Sequence, residues 1–330
     1  MTTHYLNTLL LRYRRLSLVL LLSILFLTFL GCAVTRTVEE TVEKTTQSVK
    51  DTTRTFTRGF KLSDEDLLRK VGIINFENNS IQETTEFQNI FHKGLPGYLN
   101  ENCEGVLVDD TETGSLLSML TKPPKLPSGH LDNYSLALTG RQLGFSAIVT
   151  GSLEDIRFNE EVQGILWTKD THYFVEVVIR VEVNDVRTAT KLLDYKFTDE
   201  VEIEDLEYEM IKQNDRIRLP ELNASLSKLL ADIGNEICHT VKDQPWTGFI
   251  TKADADRFSI SSGSEIGLKV GDVLEVYDSS RIIEGVGGQR FITPGLKIGE
   301  IEIVTLTADT SEARLISGKD IIKGSTVRRK

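Results

Sequence analysis

Strand-like patterns occur at five places within residues 67–242. Three short apolar runs predict buried strands, at residues 71–76, 105–108 and 145–151. From Val175 to Val183, valine and isoleucine occupy every second position, and Glu176, Arg180 and Glu182 lie opposite, which predicts a strand with one side in water. Apolar residues alternate again at residues 193–197, which predicts a second strand that completes a hairpin with the first.

Helical spacing of apolar residues occurs at residues 87–99, 132–143 and 222–237. Asp132 is expected to cap the second helix, and Gly144 to close it. The third helix carries a leucine and isoleucine stripe that must cover a sheet face. The element order predicts an α+β fold whose first part is a mixed sheet with helices mainly on one side.

A repeated motif organises residues 246–330. Gly267-Leu-Lys-Val-Gly-Asp272 recurs as Gly295-Leu-Lys-Ile-Gly-Glu300, and an alternating strand follows each copy. We expect the glycines of each copy to adopt positive φ in a tight turn and the apolar residues between them to plug the mouth of a barrel. With further strands at residues 313–316 and 325–327, the pattern predicts a small antiparallel β-barrel of five or six strands.

The first 31 residues predict an export signal. Three arginines at positions 12, 14 and 15 precede an apolar run, Leu16–Leu30. At about 1.5 Å per residue the run spans ~22 Å, short of the ~30 Å hydrocarbon core of a bilayer. A basic segment followed by such a run is typical of a signal peptide. An uncleaved inner-membrane anchor that also uses residues 6–11 is the alternative.

Gly31 and Cys32 at the end of this run resemble the end of a bacterial lipoprotein signal. The resemblance implies that Cys32 carries a thioether-linked diacylglycerol and an N-terminal acyl chain such as palmitate. It also implies sorting to the outer membrane, because Ala33 stands where retained lipoproteins tend to have aspartate. Residues 32–66, rich in threonine, then predict a lipidated tether that holds the body in the periplasm.

The net charge argues against one class of function, and the cysteines leave two arrangements open. The formal charge falls from −11 to −14 without residues 1–31, which carry three arginines and no acid. Such an acidic chain is not expected to bind nucleic acid, since phosphate contacts need clustered lysine and arginine. Besides Cys32, the chain has only Cys103 and Cys238. The periplasm would permit a disulfide between them, and two separate buried thiols are the alternative.

The sequence contains no recognisable catalytic constellation. The histidines at positions 92, 130, 172 and 239 lack metal-ligand spacing, and there is no Walker loop or G-x-S-x-G motif. We interpret His239, beside Cys238, as a core or boundary residue. The acidic run 199–209 lacks EF-hand spacing and is interpreted as a solvated face. We therefore predict no catalytic residue, no cofactor, no metal and no small-molecule substrate.

Three segments of the first region carry a resemblance to a known fold. They are Val71-Gly-Ile-Ile-Asn-Phe-Glu-Asn78, Leu143-Gly-Phe-Ser-Ala-Ile-Val-Thr-Gly-Ser152 and Val181-Glu-Val-Asn-Asp-Val-Arg-Thr-Ala-Thr190. They resemble segments of the periplasmic fold shared by the TolB N-terminal domain, CsgG, the LpoB activator lipoprotein and the middle domain of flagellar assembly protein T. In the third segment Ala189 stands where glycine is usual.

The second region, from Gly248 to Val327, resembles the C-terminal domain of flagellar assembly protein T (FlgT) in the spacing of its turn glycines. The usual N-terminal domain of that protein is absent, and a lipid-anchored tether stands in its place. The predicted organisation is thus a signal at 1–31, a tether at 32–66, an α/β domain at 67–242 and a barrel at 246–330.

Together the resemblances imply a non-enzymatic outer-membrane lipoprotein that acts as a scaffold or accessory factor of an envelope machine. Its partners would be the membrane, through Cys32, and envelope proteins, with self-association into a ring left open. One alternative is a CsgG-type export channel, for which the candidate hairpin strand is Gly164–Val183. A periplasmic peptidoglycan-acting enzyme or synthase activator is the other.

An apolar cluster, Ile165, Leu166 and Trp167, falls in a predicted loop or hairpin tip. Charged residues flank it at positions 160, 161, 169 and 170. Exposed apolar clusters rimmed by charge commonly mark a contact with a protein or membrane. The alternative is that Trp167 folds back onto the sheet edge.

Overall fold

The first region forms one mixed sheet. The computed structural model describes residues 67–74, 76–81, 85–109, 123–165, 167, 169–213 and 220–330. The strands of this sheet are β1 (Arg69–Ile73), β2 (Glu77–Asn78), β3 (Val106–Val108), β4 (Ala147–Gln163), β5 (Asp170–Asp185) and β6 (Lys191–Ile203). Their order is β3-β1-β4-β5-β6, and β2 pairs with β4. β1 is parallel to β3 and β4, whereas β4, β5 and β6 are antiparallel, which confirms the predicted mixed sheet.

Helices cover both faces of the sheet. They are α1 (Thr85–Asn89), a π-helical turn (Ile90–Gly94), α2 (Leu95–Asn102), α3 (Asn133–Leu143), α4 (Asp205–Gln213) and α5 (Pro220–Lys242). The stripe of α5 is buried against one face, in the cluster that also holds residues of α1, α2 and α4. Helix α3 packs on the other face, where Leu136 meets Ile148 and Phe249.

The caps of α3 lie where the sequence places them. The carboxylate of Asp132 accepts a hydrogen bond from the backbone N–H of Ser135 at 3.1 Å. Gly144 has φ 75° and ends the helix in the left-handed region. At residues 87–99 the apolar spacing predicts a helix that Gly94 and Pro96 kink, and in the structure the π-helical turn interrupts the helix just before Pro96. Pro96 lacks the N–H that would continue the α-helical bonds into this turn.

Strand β4 is much longer than the sequence analysis predicts. The apolar run ends near Gly151, but the strand continues to Gln163 and pairs with β5 throughout. Its outer half mixes acidic and amide residues with Ile156, Phe158 and Val162, which still recur at period two.

The second region is a closed barrel of six antiparallel strands, as predicted. Its strands are β7 (Gly248–Asp254), β8 (Arg257–Ile260), β9 (Val273–Tyr277), β12 (Lys297–Leu306), β13 (Ser311–Gly318) and β14 (Thr326–Arg329). Its interior includes Trp246, which is 1% exposed. Strands β10 (Ile282–Glu284) and β11 (Arg290–Ile292) form a separate two-stranded arm with glycines at its tip.

The two copies of the repeated motif differ in structure. In the first copy Gly267 and Gly271 have φ of 99° and 92°, and Leu268 is buried. In the second copy Gly295 has no positive φ, and Leu296 is 84% exposed instead of filling the barrel. The expectation for the second copy was wrong because β12 begins at Lys297, inside this copy, whereas β9 begins only after the first copy ends. A Cβ at Gly295 would lie 2.3 Å from the backbone oxygen of Asp278, so glycine is needed here because two backbone segments pass close to each other.

The α/β region and the barrel meet around Arg141 of α3, which is 5% exposed. Its guanidinium donates to the carbonyl oxygens of Val186 at 3.1 Å, Arg187 at 2.6 Å and Gly324 at 3.0 Å. It also lies 5.0 Å from the ring centroid of Phe249. Burial lowers the pKa of Arg141 to about 10, opposed by the charge of Asp185, so the group is charged at neutral pH. One buried cation thus joins the β5–β6 turn to the barrel.

Changing Arg141 to Met should lower the free energy of unfolding by about 3 kcal/mol, because three carbonyls lose their donor in a buried site. The measurement is the denaturant midpoint. Arg157→Met is the matched control: Arg157 is 56% exposed and makes only surface ion pairs, so its loss should cost less than about 1 kcal/mol. Equal losses in the two variants would contradict the role given to Arg141.

A disulfide joins Cys103, at the end of α2, to Cys238 on α5, with the two Cα atoms 5.6 Å apart. The two residues are 135 positions apart in the chain, so the bond closes a long loop of the unfolded state. Cys103 is buried within the main core cluster, and Cys238 packs against it. The bond fastens the two helices that cover the same sheet face.

Replacing both cysteines by alanine should lower the free energy of unfolding by about 2–5 kcal/mol, since a cross-link over so long a loop restricts the unfolded chain strongly. Thermal or urea unfolding of the oxidised protein measures the effect. Dithiothreitol provides the control: it should shift the wild-type transition towards that of the variant and leave the variant unchanged. An unchanged wild-type transition in the reductant would contradict this expectation.

Candidate functional site

The β4–β5 hairpin is the longest feature of the sheet and carries the candidate site at its tip. β4 has 17 residues and β5 has 16. Their pairing runs from Ala147 opposite Asp185 to Gln163 opposite Asp170, with one irregularity after Leu153. At about 3.3 Å per residue, each strand is ~50 Å long. The hairpin therefore reaches well beyond the root, where β1 pairs with β4.

One face of the hairpin is apolar and covered. Ile156 and Val175 are 2% and 1% exposed, in the same cluster as the stripe of α5. Further out, Tyr173 stacks on Tyr208 of α4, with ring centroids 4.2 Å apart. Because helices cover this face as far as Tyr173, the outer half of the hairpin is held against the body.

The other face of the hairpin is charged. Glu176, Arg180 and Glu182, predicted on one face, lie there together with residues of β6. Arg180 donates to Asp194 of β6 at 2.8 Å and 2.9 Å. The hydrogen bond from Arg180, followed by one from Lys191, lowers the pKa of Asp194 to about 2. Beyond the root, which α3 and Phe249 cover, ion pairs that join β4, β5 and β6 occupy this face.

The tip itself exposes apolar side chains. Trp167 is 89% exposed, Ile165 is 78% exposed and Val162 is 62% exposed. Trp167 thus does not fold back onto the sheet edge. Leu166, the third member of the predicted cluster, lies outside the described residues. A bare indole at the end of a paired hairpin is suited to burial against another molecule.

Acidic side chains from several elements surround this tip. His172, opposite Glu161 in the strand register, bonds to Glu202 of β6 at 2.5 Å. That hydrogen bond, together with the charges of Asp170 and Glu161, raises the pKa of His172 above its ordinary value of 6.5. The tip is therefore a region of negative potential.

A neighbouring tyrosine experiences the same negative potential. Desolvation, and then the negative charges of Asp205, Glu160 and Glu209, raise the pKa of Tyr173. These acids come from β4 and α4, so the negative charge extends across the end of the hairpin.

Sequence reasoning found only part of this set. Glu160, Glu161 and Asp170 were noted because they flank the tryptophan. Glu202 and Asp205 belong to the acidic run that was interpreted as a solvated face, and the register of β6 on β5 brings that run to the tip. The run's alternation of Glu200, Val201 and Glu202 was the available signal, since period two predicts a strand continuing beyond residue 197.

The remaining predicted residues lie elsewhere. Cys32, the signal and the tether fall outside the described residues. His239 is 61% exposed and 3.8 Å from Asp243, so its interpretation as a core or boundary residue was wrong. Over the described ranges, no three His, Cys, Asp or Glu side chains gather as metal ligands. Within the same ranges, no helix is both long and apolar enough to span a membrane.

No protein family matches this sequence, and neither does any curated protein. Among solved structures, a hypothetical protein from Chlamydia trachomatis is similar at 10% identity and a TM-score of 0.34, over 53% of this chain and 98% of that one. A lipoprotein from Neisseria meningitidis is similar at 12% identity and a TM-score of 0.29, over 52% and 99% of the two chains. The LpoB C-terminal domain from Salmonella enterica is similar at 12% identity and a TM-score of 0.28, over 40% of this chain and 83% of that one.

Titration of His172 checks the electrostatics of the tip. Its imidazole should titrate above pH 6.5, and Glu202→Gln should bring the midpoint back towards that value. Folding raises the pKa of His172. The stabilisation from its pairing with Glu202 is therefore fully present below pH 6.5 and is lost as the pH rises through the folded pKa. NMR of the imidazole resonances measures both midpoints. A midpoint at or below 6.5 in the wild type would contradict the assigned pairing.

Proposed function

We propose that this protein is an exported, lipid-anchored and non-enzymatic assembly factor that holds a second envelope protein through the tip of the β4–β5 hairpin. The observation that carries the proposal is the 89% exposure of Trp167 at the end of a long, fully paired hairpin. Tryptophan is among the residues that contribute most to protein interfaces. The tip is the part of the described structure best suited to such a contact.

The rigidity of the hairpin supports a binding role. Its root is buried on both faces, by the cluster under α5 on one and by α3 and Phe249 on the other. A tip that is held in place before binding loses little conformational freedom on docking, and more of the contact energy appears as affinity. The hairpin strands are therefore fixed in place before the indole meets its partner.

The cysteines support the proposed compartment. A disulfide between Cys103 and Cys238 is expected to persist in an oxidising environment such as the periplasm. An export signal that ends in Gly31 and Cys32 accounts for delivery there. With Cys32 lipidated and Ala33 next to it, the body would hang from the outer membrane on its tether and face the periplasm.

Two alternatives receive less support. A channel hairpin needs an apolar face towards lipid, whereas the apolar face here packs under α4 and α5 and the open face is charged. A peptidoglycan-acting enzyme needs a nucleophile or acid–base pair. Cys238, adjacent to a histidine, is bound in the disulfide. Zymography of the purified protein on peptidoglycan would separate an enzyme from a scaffold.

Changing Trp167 to Ala should weaken partner binding by about 2 kcal/mol or more, because the indole supplies a central apolar anchor. The melting temperature should stay nearly unchanged, since the side chain is exposed. In-cell crosslinking of the tagged full-length chain, followed by recovery of the partner, measures the first effect. Thermal unfolding measures the second.

Trp246→Ala is the matched control, because this is the other tryptophan of the chain and is 1% exposed in the barrel. Its loss should lower the free energy of unfolding by about 3–5 kcal/mol. Undiminished partner recovery with Trp167→Ala, at equal protein level, would refute the proposed contact.

A further inference from the structure

The apolar tip is enclosed by an acidic collar, which we define as Glu160, Glu161, Asp170, Glu202, Asp205 and Glu209. All six residues are exposed. They belong to four elements: β4, β5, β6 and α4. Strand register and the neighbours of His172 and Tyr173 place them around one end of the hairpin. The collar is thus a product of tertiary structure and not of one acidic run.

Few cations oppose this collar. Residues 159–172 contain three acids, one lysine (Lys169) and one histidine, and residues 200–209 contain six acids and no base. His172 is already bonded to Glu202. The ion pairs of Arg157 and Arg180 lie further along the strands, towards the root. Counted over the described side chains, a net negative charge therefore remains around the exposed indole.

We propose that the partner held by the hairpin is a protein whose apolar pocket is rimmed by lysine and arginine. This inference rests on the proposed function and adds the chemistry of its partner. Trp167 and Val162 would enter the pocket, and the collar would meet the basic rim. Complementary charge around an apolar contact accelerates encounter and selects the partner, while the buried indole sustains the complex.

The same charges disfavour a lipid surface as the ligand. An exposed tryptophan beside aliphatic residues could otherwise enter the interfacial layer of a membrane. Bacterial membranes that contain phosphatidylglycerol are anionic, and a collar of six carboxylates is repelled by such a surface within about 8 Å at physiological ionic strength. The collar thus favours a basic protein over an anionic membrane.

The test begins by identifying what the tip touches. The photocrosslinking residue p-benzoylphenylalanine is placed at position 163 of the full-length chain in its native cells, and at position 256 of the β7–β8 turn as a control site. Gln163 is exposed at the end of β4, so the probe lies beside the tip and leaves Trp167 intact. The protein crosslinked only at 163 is identified, purified and titrated against the full-length chain. A crosslinked surface rimmed by lysine and arginine supports the inference, and a surface without such a rim overturns it.

Salt and charge variants then test the collar directly. Kd should rise about tenfold or more between 50 and 300 mM NaCl. The triple variant Glu160→Gln, Glu161→Gln, Asp170→Asn should weaken binding about tenfold, mainly through the association rate, and should flatten the salt dependence. A matched triple variant on the barrel side, Asp256→Asn, Glu265→Gln, Glu284→Gln, changes the net charge equally and should leave Kd within twofold.

The outcomes separate this inference from the proposed function. If Trp167→Ala weakens binding but the collar variant and salt do not, the basic partner is wrong and the docking tip stands. If no protein crosslinks at 163 above the control site, or if Trp167→Ala binds normally, the proposed function fails as well.

A vesicle measurement covers the lipid alternative. The lipidated chain is reconstituted in phosphatidylcholine vesicles with and without one quarter phosphatidylglycerol, and tryptophan emission is recorded. Trp246 is buried, so a change in emission reports Trp167. The emission maximum is expected to be the same in vesicles with and without phosphatidylglycerol. A blue shift in the anionic vesicles would overturn the inference in favour of a membrane contact.

Discussion

The pairing of β4 with β5 along their whole lengths is the interaction on which the proposed site depends. Because side chains alternate between the two faces of a strand, a slip of one residue would turn Val175 and Val177 to water and bring Glu176 into the core. Burial of the root on both faces makes such a slip costly. The position of the tip is therefore determined some 50 Å away, at the other end of the strands.

The barrel contributes to this arrangement by holding the far end of the sheet. Arg141 binds two carbonyls of the β5–β6 turn and one of the barrel, and the N–H of Ile292 donates to the carbonyl of Thr188 in the same turn at 2.9 Å. Leu67, just before β1, is also buried in the barrel cluster. The barrel thus fixes the end of the sheet at the β5–β6 turn, and the opposite end, the tip of the β4–β5 hairpin, extends away from it.

Exposure of the tip follows from where the helical cover ends. Helix α5 covers the middle of the apolar face, and Tyr208 of α4 covers it as far as Tyr173. Val162 and Trp167 lie beyond this cover and stay in water. Apolar groups that remain exposed at the end of a well-ordered element commonly serve recognition. The surrounding carboxylates restrict which surfaces the tip can approach.

Several features follow from sequence alone because they depend on neighbours in the chain. The helix stripe of α5, the alternation of β5 and the caps of α3 at Asp132 and Gly144 are local patterns, and they helped to predict the mixed sheet. The barrel was predicted from the repeated glycine motif and the strands that follow it. The sequence also marked Trp167 as a candidate contact residue, but whether it folds back onto the sheet edge was decided only by the structure, in which it is 89% exposed.

Tertiary structure decided what depends on distant partners. The outer half of β4 is polar in sequence and becomes a strand through its pairing with β5. Gly295 and Leu296 repeat an earlier motif but meet different neighbours and adopt a different conformation. The acidic collar joins residues separated by about forty positions, which only the register of β6 on β5 brings together. Local sequence patterns determined most of the helices and strands. Strand register and packing determined which charged side chains surround the indole.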